Sequence, residues 1–163
     1  MLVVGIDPGT ATTGYGFLRE DDKGKITAVD FGVISTSPDL PMPHRLLELH
    51  QQLKNLMLLH HPESAAVEKL FFQKNVRTAL SVGQARGVAL FTLAEGGIPI
   101  SEYTPLEVKQ AVTGYGGADK NQVQQMVRAL LELPSIPQPD DAADALAIAI
   151  CHIHSQHFAR LHS

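Results

Sequence analysis

The sequence predicts an α/β fold, a mixed sheet flanked by helices. Two observations carry that expectation. Three strand-like segments, Leu2–Ile6, Thr13–Arg19 and Lys25–Ser35, follow one another with only short turns between them. From His44 onward the pattern changes to helices alternating with strands, which is the signature of a sheet with helices on its faces. The chain has 163 residues, 44% of them apolar, enough for one domain with a substantial core.

The elements follow in order. "VVGID" is an apolar run that reads as a buried strand and stops at a carboxylate, Asp7. Pro8, Gly9 and Thr10 turn the chain into the second strand. "REDDKGK", with Gly24 in a polar run, reads as the hairpin turn before the third. "SPDLPMP" breaks the chain. His44–Leu59 then places Leu46, Leu49, Leu53 and Leu56 at helical spacing, with Met57 beside them. "AAVEKLFF" reads as a short strand, and Asn75–Ala94 as a helix rich in small residues, closed by Gly96 and Gly97. Ile98–Tyr103 is a fifth strand. Thr104 as N-cap with Pro105 in the first helical position starts the next helix. After the glycine loop "GYGGAD", Lys120–Leu133 and Asp141–His154 read as helices.

No apolar run approaches the length of a membrane span. Met1–Ile6 lacks the basic start and cleavage site of a signal peptide, and the one cysteine, Cys151, lies in an apolar run. A disulfide framework within the chain is excluded, and a reducing cytoplasm is the expected compartment. The formal net charge is −4, yet Lys69–Arg128 carries seven Lys/Arg against four Asp/Glu. That local excess suits a phosphate-binding face and equally an ordinary solvated one.

Four carboxylates draw the chemistry together. Asp7 ends the first strand and Glu68 stands at or near the end of the fourth. Asp141 and Asp144 are spaced i, i+3 and share a helix face. Taken singly, each has an ordinary explanation as a turn residue, a strand-end charge or a first-turn acid favoured by the helix dipole. Together they are different. Strand ends along one edge of an open α/β sheet line a crevice. Carboxylates converging there at ~5 Å repel by ~3 kcal/mol per pair at an effective dielectric of ~20, a cost that a bound cation removes. Oxygen donors without a nearby cysteine suit Mg²⁺ or Mn²⁺ rather than zinc.

The chain resembles the RuvC family of Holliday-junction resolvases. The resemblance rests on "GIDPGT.TTGYG" from Gly5, "AVEKLFF.KN" from Ala66, "GQARGVAL" from Gly83, "VKQAVTGYGGADKNQVQ.MV" from Val108 and "DAADALAIAICH" from Asp141. These motifs run in the family's order and spacing over nearly the whole chain. The resemblance implies an RNase H-like fold with a five-stranded mixed sheet, one nuclease domain over residues 1–155 and a tail over 156–163. It implies a metal-dependent endodeoxyribonuclease site of Asp7, Glu68, Asp141 and Asp144, holding two Mg²⁺ ions for which Mn²⁺ substitutes. The reaction implied is paired, symmetric nicking of two strands of like polarity at a four-way junction, leaving 5′-phosphate and 3′-hydroxyl ends.

Further residues take roles from the same resemblance. Lys120 falls in the first turn of a helix, where a cation opposes the dipole by ~0.3–1 kcal/mol. The family places it beside the scissile phosphate. Lys109 and Arg77 read as backbone-phosphate contacts that position DNA rather than read it. Lys74 and Asn75 belong to the same DNA-binding stretch. Phe71 matches the family's stacking aromatic. Neighbours in a strand face opposite sides, so of Phe71 and Phe72 one ring is expected in the core and the other against DNA. Asp140 precedes the motif and reads as a cap or bystander. Two equivalent strands must be cut, which calls for a C2 homodimer. The small-residue helix after Asn75 is a candidate interface, although it can equally pack on its own sheet. RuvA and RuvB are the implied partners in branch migration.

His152, His154 and His157 have metal-like spacing but approach the tail, where a partly ordered, pH-sensitive segment is the simpler expectation. A sugar-kinase or actin-like ATPase also opens on a strand and a "GIDxGT" loop, but it needs two related domains and a second phosphate loop, which this sequence lacks. A non-catalytic junction binder would be signalled by loss of a carboxylate, and none of the four is lost.

Overall fold

The computed structural model describes residues 1–69 and 75–163. Five strands form one sheet in the order β3-β2-β1-β4-β5: β1 (Leu2–Asp7), β2 (Thr12–Glu20), β3 (Ile26–Ser35), β4 (Ser64–Glu68) and β5 (Ile100–Tyr103). The first three pair antiparallel, while β1–β4 and β4–β5 pair parallel. This is the expected RNase H-like mixed sheet. The parallel pairs need crossovers, and α1 (Met42–His60) and α2 (Val76–Glu95) supply them. The chain then continues through α3 (Pro105–Thr113), α4 (Lys120–Leu130) and α5 (Asp140–Leu161).

The central strand is apolar on both faces because helices cover both. Val4 and Ile6 point to a core shared with Leu49, Leu53 and Met57 of α1 and Ala85, Ala89 and Leu93 of α2. Val3, together with Leu18 and Ala66, faces α5, with Val108 of α3 and Val127 of α4 behind it. Alternation along β1 therefore turns Asp7 toward the α5 side, as Val3 is, and the same count from Ala66 turns Glu68 that way. Two strand-end acids thus share one face for the reason that every second residue beneath them is buried there.

The face is completed by α5. From Ala142 to Ile153 almost every residue is buried, because the helix lies between the sheet and the α3–α4 pair. Glycines let it settle close. A Cβ on Gly5 would stand 2.1 Å from the Ala145 carbonyl oxygen, and one on Gly14 would stand 2.0 Å from the Asp141 carbonyl oxygen. The cap read from sequence holds: the Thr104 hydroxyl accepts from the Glu107 backbone N–H at 3.1 Å. The structure adds a second, Asp119, which caps α4 by the same device, accepting from the Gln122 N–H at 2.8 Å.

Two expectations change. The last helix does not stop near His154 but runs to Leu161, so residues 156–161 are helical rather than a tail. Contacts to the sheet hold that extension: Gln156 donates to the Ser64 hydroxyl at 3.3 Å, and His157 Nε2 lies 2.6 Å from Glu20 Oε1. The three histidines are neither a metal cluster nor a loose segment. His152 is buried, its ring nitrogens 2.9 Å from the Ser64 hydroxyl and 2.8 Å from the Tyr103 hydroxyl, while His154 bonds the Ala111 carbonyl at 3.0 Å.

Candidate active site

Asp7 and Glu68 come next to each other by register. Ile6 pairs with Val67 across the parallel β1–β4 ladder, and one step further along stand the two acids. On the other side of β1, Asp7 pairs with Gly14, over which the first turn of α5 rests. That seating brings Asp141 and Asp144 over the end of β1. One carboxylate oxygen from each of Asp7, Asp141 and Asp144 lies within 4.8 Å of the other two. Glu68 stands outside this tightest group but, with Asp144, Lys109 and Lys120, lines an adjoining recess of about 230 Å³.

The electrostatics follow from crowding like charges in a half-buried place. Burial, and then the charges of Asp144, Glu68 and Asp141, push the Asp7 carboxyl up to about 8. Glu68 is raised by burial and by Asp144, against the pull of Lys109. Asp144 is raised by burial, with Lys120 opposing and Asp141 adding to the rise. Without a cation, then, the cluster retains a proton at neutral pH.

Lys120 sits opposite, at the start of α4. Its Nζ is 3.6 Å from Asp144 Oδ2 and 3.2 Å from Asp140 Oδ2. Burial lowers the ammonium's pKa, but the Asp144 charge and the hydrogen bond to Asp140 overcome it, so the net shift is upward. Asp140 is not the cap of α5, a position held by Pro139 without a side-chain bond. Instead it faces α4, where Gln124 donates to its other oxygen at 3.1 Å.

A second groove, of about 480 Å³, opens on the other side of Asp141 and is lined by Gly9–Thr12 of the β1–β2 turn and by Arg77, Thr78 and Ser81 of α2. The Thr10 hydroxyl donates to the Ser81 carbonyl at 2.9 Å and ties turn to helix. Arg77 therefore lies beside the acids, as Lys109 does on the opposite flank. Asn75 uses its side-chain oxygen to cap α2, accepting from the N–H groups of Arg77 and Thr78. Phe71, Phe72 and Lys74 lie outside the described residues.

Two supports of the site are not apparent from residue types alone. Arg86 of α2 ion-pairs with Glu102 on β5 and donates to the Glu68 backbone carbonyl at 3.4 Å, which braces the strand end that carries the acid. It lies within the quoted "GQARG" segment, but nothing in the spacing tells which atoms an arginine on α2 reaches. The glycine seats at Gly5 and Gly14 are the other. Their trace in the sequence is small residues alternating on two strands, "GID" and "GYG", against an alanine-rich helix.

Comparison with known proteins gives one answer. The family described as "Crossover junction endodeoxyribonuclease RuvC" matches residues 3–152. A protein of that name from a Roseiflexus species is 59% identical, aligned over 93% of this chain and 90% of its own. The RuvC structure of Thermus thermophilus superposes with a TM-score of 0.90 at 38% identity, covering 98% of this chain and 97% of that one. A second structure, described as T. thermophilus RuvC in complex with Holliday junction substrate, gives a TM-score of 0.92 at 37% identity, over 98% and 96% of the two chains.

Proposed function

The chain belongs to the RuvC family of crossover junction endodeoxyribonucleases, and from that premise we propose that it resolves four-way DNA junctions with a divalent-metal site built on Asp7, Glu68, Asp141 and Asp144. The observation that carries the reading is the meeting of three carboxylate oxygens within 4.8 Å at the strand ends. The donor set fits Mg²⁺ or Mn²⁺: it is all carboxylate, Cys151 lies buried elsewhere among apolar neighbours, and the raised Asp7 carboxyl reports crowded negative charge that a cation would offset. Two such ions, when bound, would supply an activated water and stabilise the leaving 3′ oxygen.

The protein's own groups do the rest. Asp7, Asp141 and Asp144, with Glu68 beside them, would hold the metal. Lys109 and Arg77, on either flank of the acids, hold the backbone phosphates of the strand entering the recess. Lys120, beside Asp144 at the rim of the recess, offsets the charge that develops on the scissile phosphate in the transition state. Phe71 stacks on a base freed at the junction centre, which favours a junction over a duplex whose bases stay stacked.

Symmetric nicks in strands of like polarity need two sites, hence a homodimer. A strip on α2 supports that assignment: Val76, Leu80 and Phe91 are exposed, and a Cβ on Gly87 would meet nothing within 4 Å. Products would carry 5′-phosphate and 3′-hydroxyl ends, with RuvA and RuvB as the proteins that deliver the junction. No described helix is long and apolar enough to cross a membrane, in keeping with the cytoplasmic location proposed.

The test is a labelled four-way junction incubated with and without Mg²⁺, beside a linear duplex of the same sequence. Paired nicks in the junction alone, dependent on Mg²⁺ and ligatable, are expected. Equal cutting of both substrates, or cutting that survives a chelator, would overturn the proposal.

A further inference from the structure

We propose that Asp140 is a positioning residue for Lys120, holding the ammonium at the rim of the carboxylate cluster so that Asp144 is left to the metal; the inference rests on the nuclease reading above. It comes from four side chains on two facing helices. On α5, Asp140 and Asp144 are one turn apart and both reach Lys120 Nζ, at 3.2 and 3.6 Å. On α4, Lys120 and Gln124 are one turn apart, and both reach Asp140.

Both oxygens of Asp140 are therefore used by α4, one by the ammonium and one by the Gln124 amide. A carboxylate fixed at both oxygens has a set orientation, and Asp140 does not enter the group of acids that converge on one point. Asp144 does enter it. When a cation occupies the cluster, it takes the Asp144 charge and repels the ammonium at the same time. Lys120 would then be released to solvent on a flexible stem unless a second acid held it. Asp140 is that acid, and its place in the first turn of α5 favours a negative charge there. The pair is exposed, and exposed pairs add little to stability. The expected consequence of removing Asp140 is thus kinetic.

The experiment is a double-mutant cycle read by single-turnover cleavage of a four-way junction at saturating protein and Mg²⁺. Asp140→Ala is expected to slow cleavage roughly tenfold, as loss of a group that orients a site residue does. Junction affinity, thermal midpoint and Mn²⁺ affinity, measured by titration of the metal alone, should stay within about twofold or a degree of wild type. Asp140→Glu should restore part of the rate, and Asp140→Ala should add nothing in a Lys120→Ala background. If the two losses multiply, Asp140 acts independently of Lys120 and the proposal is wrong. A large fall in Mn²⁺ affinity would make Asp140 a metal ligand instead, which also overturns it. Wild type run alongside separates the readings. An inactive wild type overturns the nuclease assignment and this inference with it, whereas an active wild type matched by Asp140→Ala overturns only the role of Asp140.

Discussion

Gly14 and Asp141 meet backbone to backbone: the place where a Gly14 side chain would begin is 2.0 Å from the Asp141 carbonyl oxygen. Asp7 is Gly14's partner across the β1–β2 ladder. One glycine thus sets the height of the helix that carries two acids above the strand that carries the third. Gly14→Ala must lift α5 at its first turn. Overpacking of this kind costs ~1–3 kcal/mol, and the cost should appear in denaturant unfolding. Cleavage and metal binding should fall further than that loss of stability explains. A stable Gly14→Ala protein that cuts normally would show that the close approach does not set the site.

Asp7 links metal, pH and stability. Its ordinary value is 3.8, and in the fold it is pushed up to about 8. Without metal, the unfolded chain releases this proton near pH 4 while the folded protein keeps it, so the folded state binds more protons through that interval. Stability therefore falls as pH rises from about 4 to about 8. Asp7→Asn removes the dependence and should stabilise the metal-free protein at pH 8 by several kcal/mol, the displacement from 3.8 to about 8 setting an upper bound of ~6 kcal/mol. The gain should be far smaller at pH 4.5. Mg²⁺ should reverse the order, raising the melting temperature of wild type and leaving Asp7→Asn, which should not cleave, nearly unmoved. Thermal melts at two pH values, with and without Mg²⁺, check all of this.

Lys109 should separate holding DNA from cutting it. Lys109→Ala should weaken binding to junctions of any sequence and reduce the slope of log affinity against log salt by roughly one. Binding isotherms at several salt concentrations measure this. An unchanged slope would mean that this lysine does not meet a phosphate.

His152 is buried and uncharged, and burial lowers its pKa below the ordinary 6.5. Here the unfolded state takes the proton first, so stability is lost as pH falls through about 6.5. His152→Gln should keep bonds to Ser64 and Tyr103 well enough to fold and should flatten that loss. Melting temperatures across pH 5–7.5 report it, and parallel curves for the two proteins would remove His152 as the cause.

Much of this was legible in the residues. Strand alternation puts Asp7 and Glu68 on one face, the i, i+3 spacing pairs Asp141 with Asp144, and Thr104 followed by Pro105 marks a helix start. What residue types do not disclose is long-range contact. Asp140 is an acid beside two acids, and only the facing of α4 on α5 reveals that it belongs to Lys120. His152 reads as a polar residue near an end, yet hydroxyls from β4 and β5 meet it inside the core. Helix α5 outruns its pattern because "SQHFARL" is too mixed to announce a helix, and the contact that holds it, His157 to Glu20, joins residues far apart in sequence.

The order of the chain has a consequence for the proposed nuclease site. Two of the four acids lie on α5, the last element, while the strands that wait for it come first. A nascent or truncated polypeptide ending before Pro139 would carry Asp7 and Glu68 but neither Asp141 nor Asp144, and would have no cluster to load. If the four acids form the metal site proposed above, such a polypeptide lacks half of it, and it is expected to show no metal-dependent cleavage.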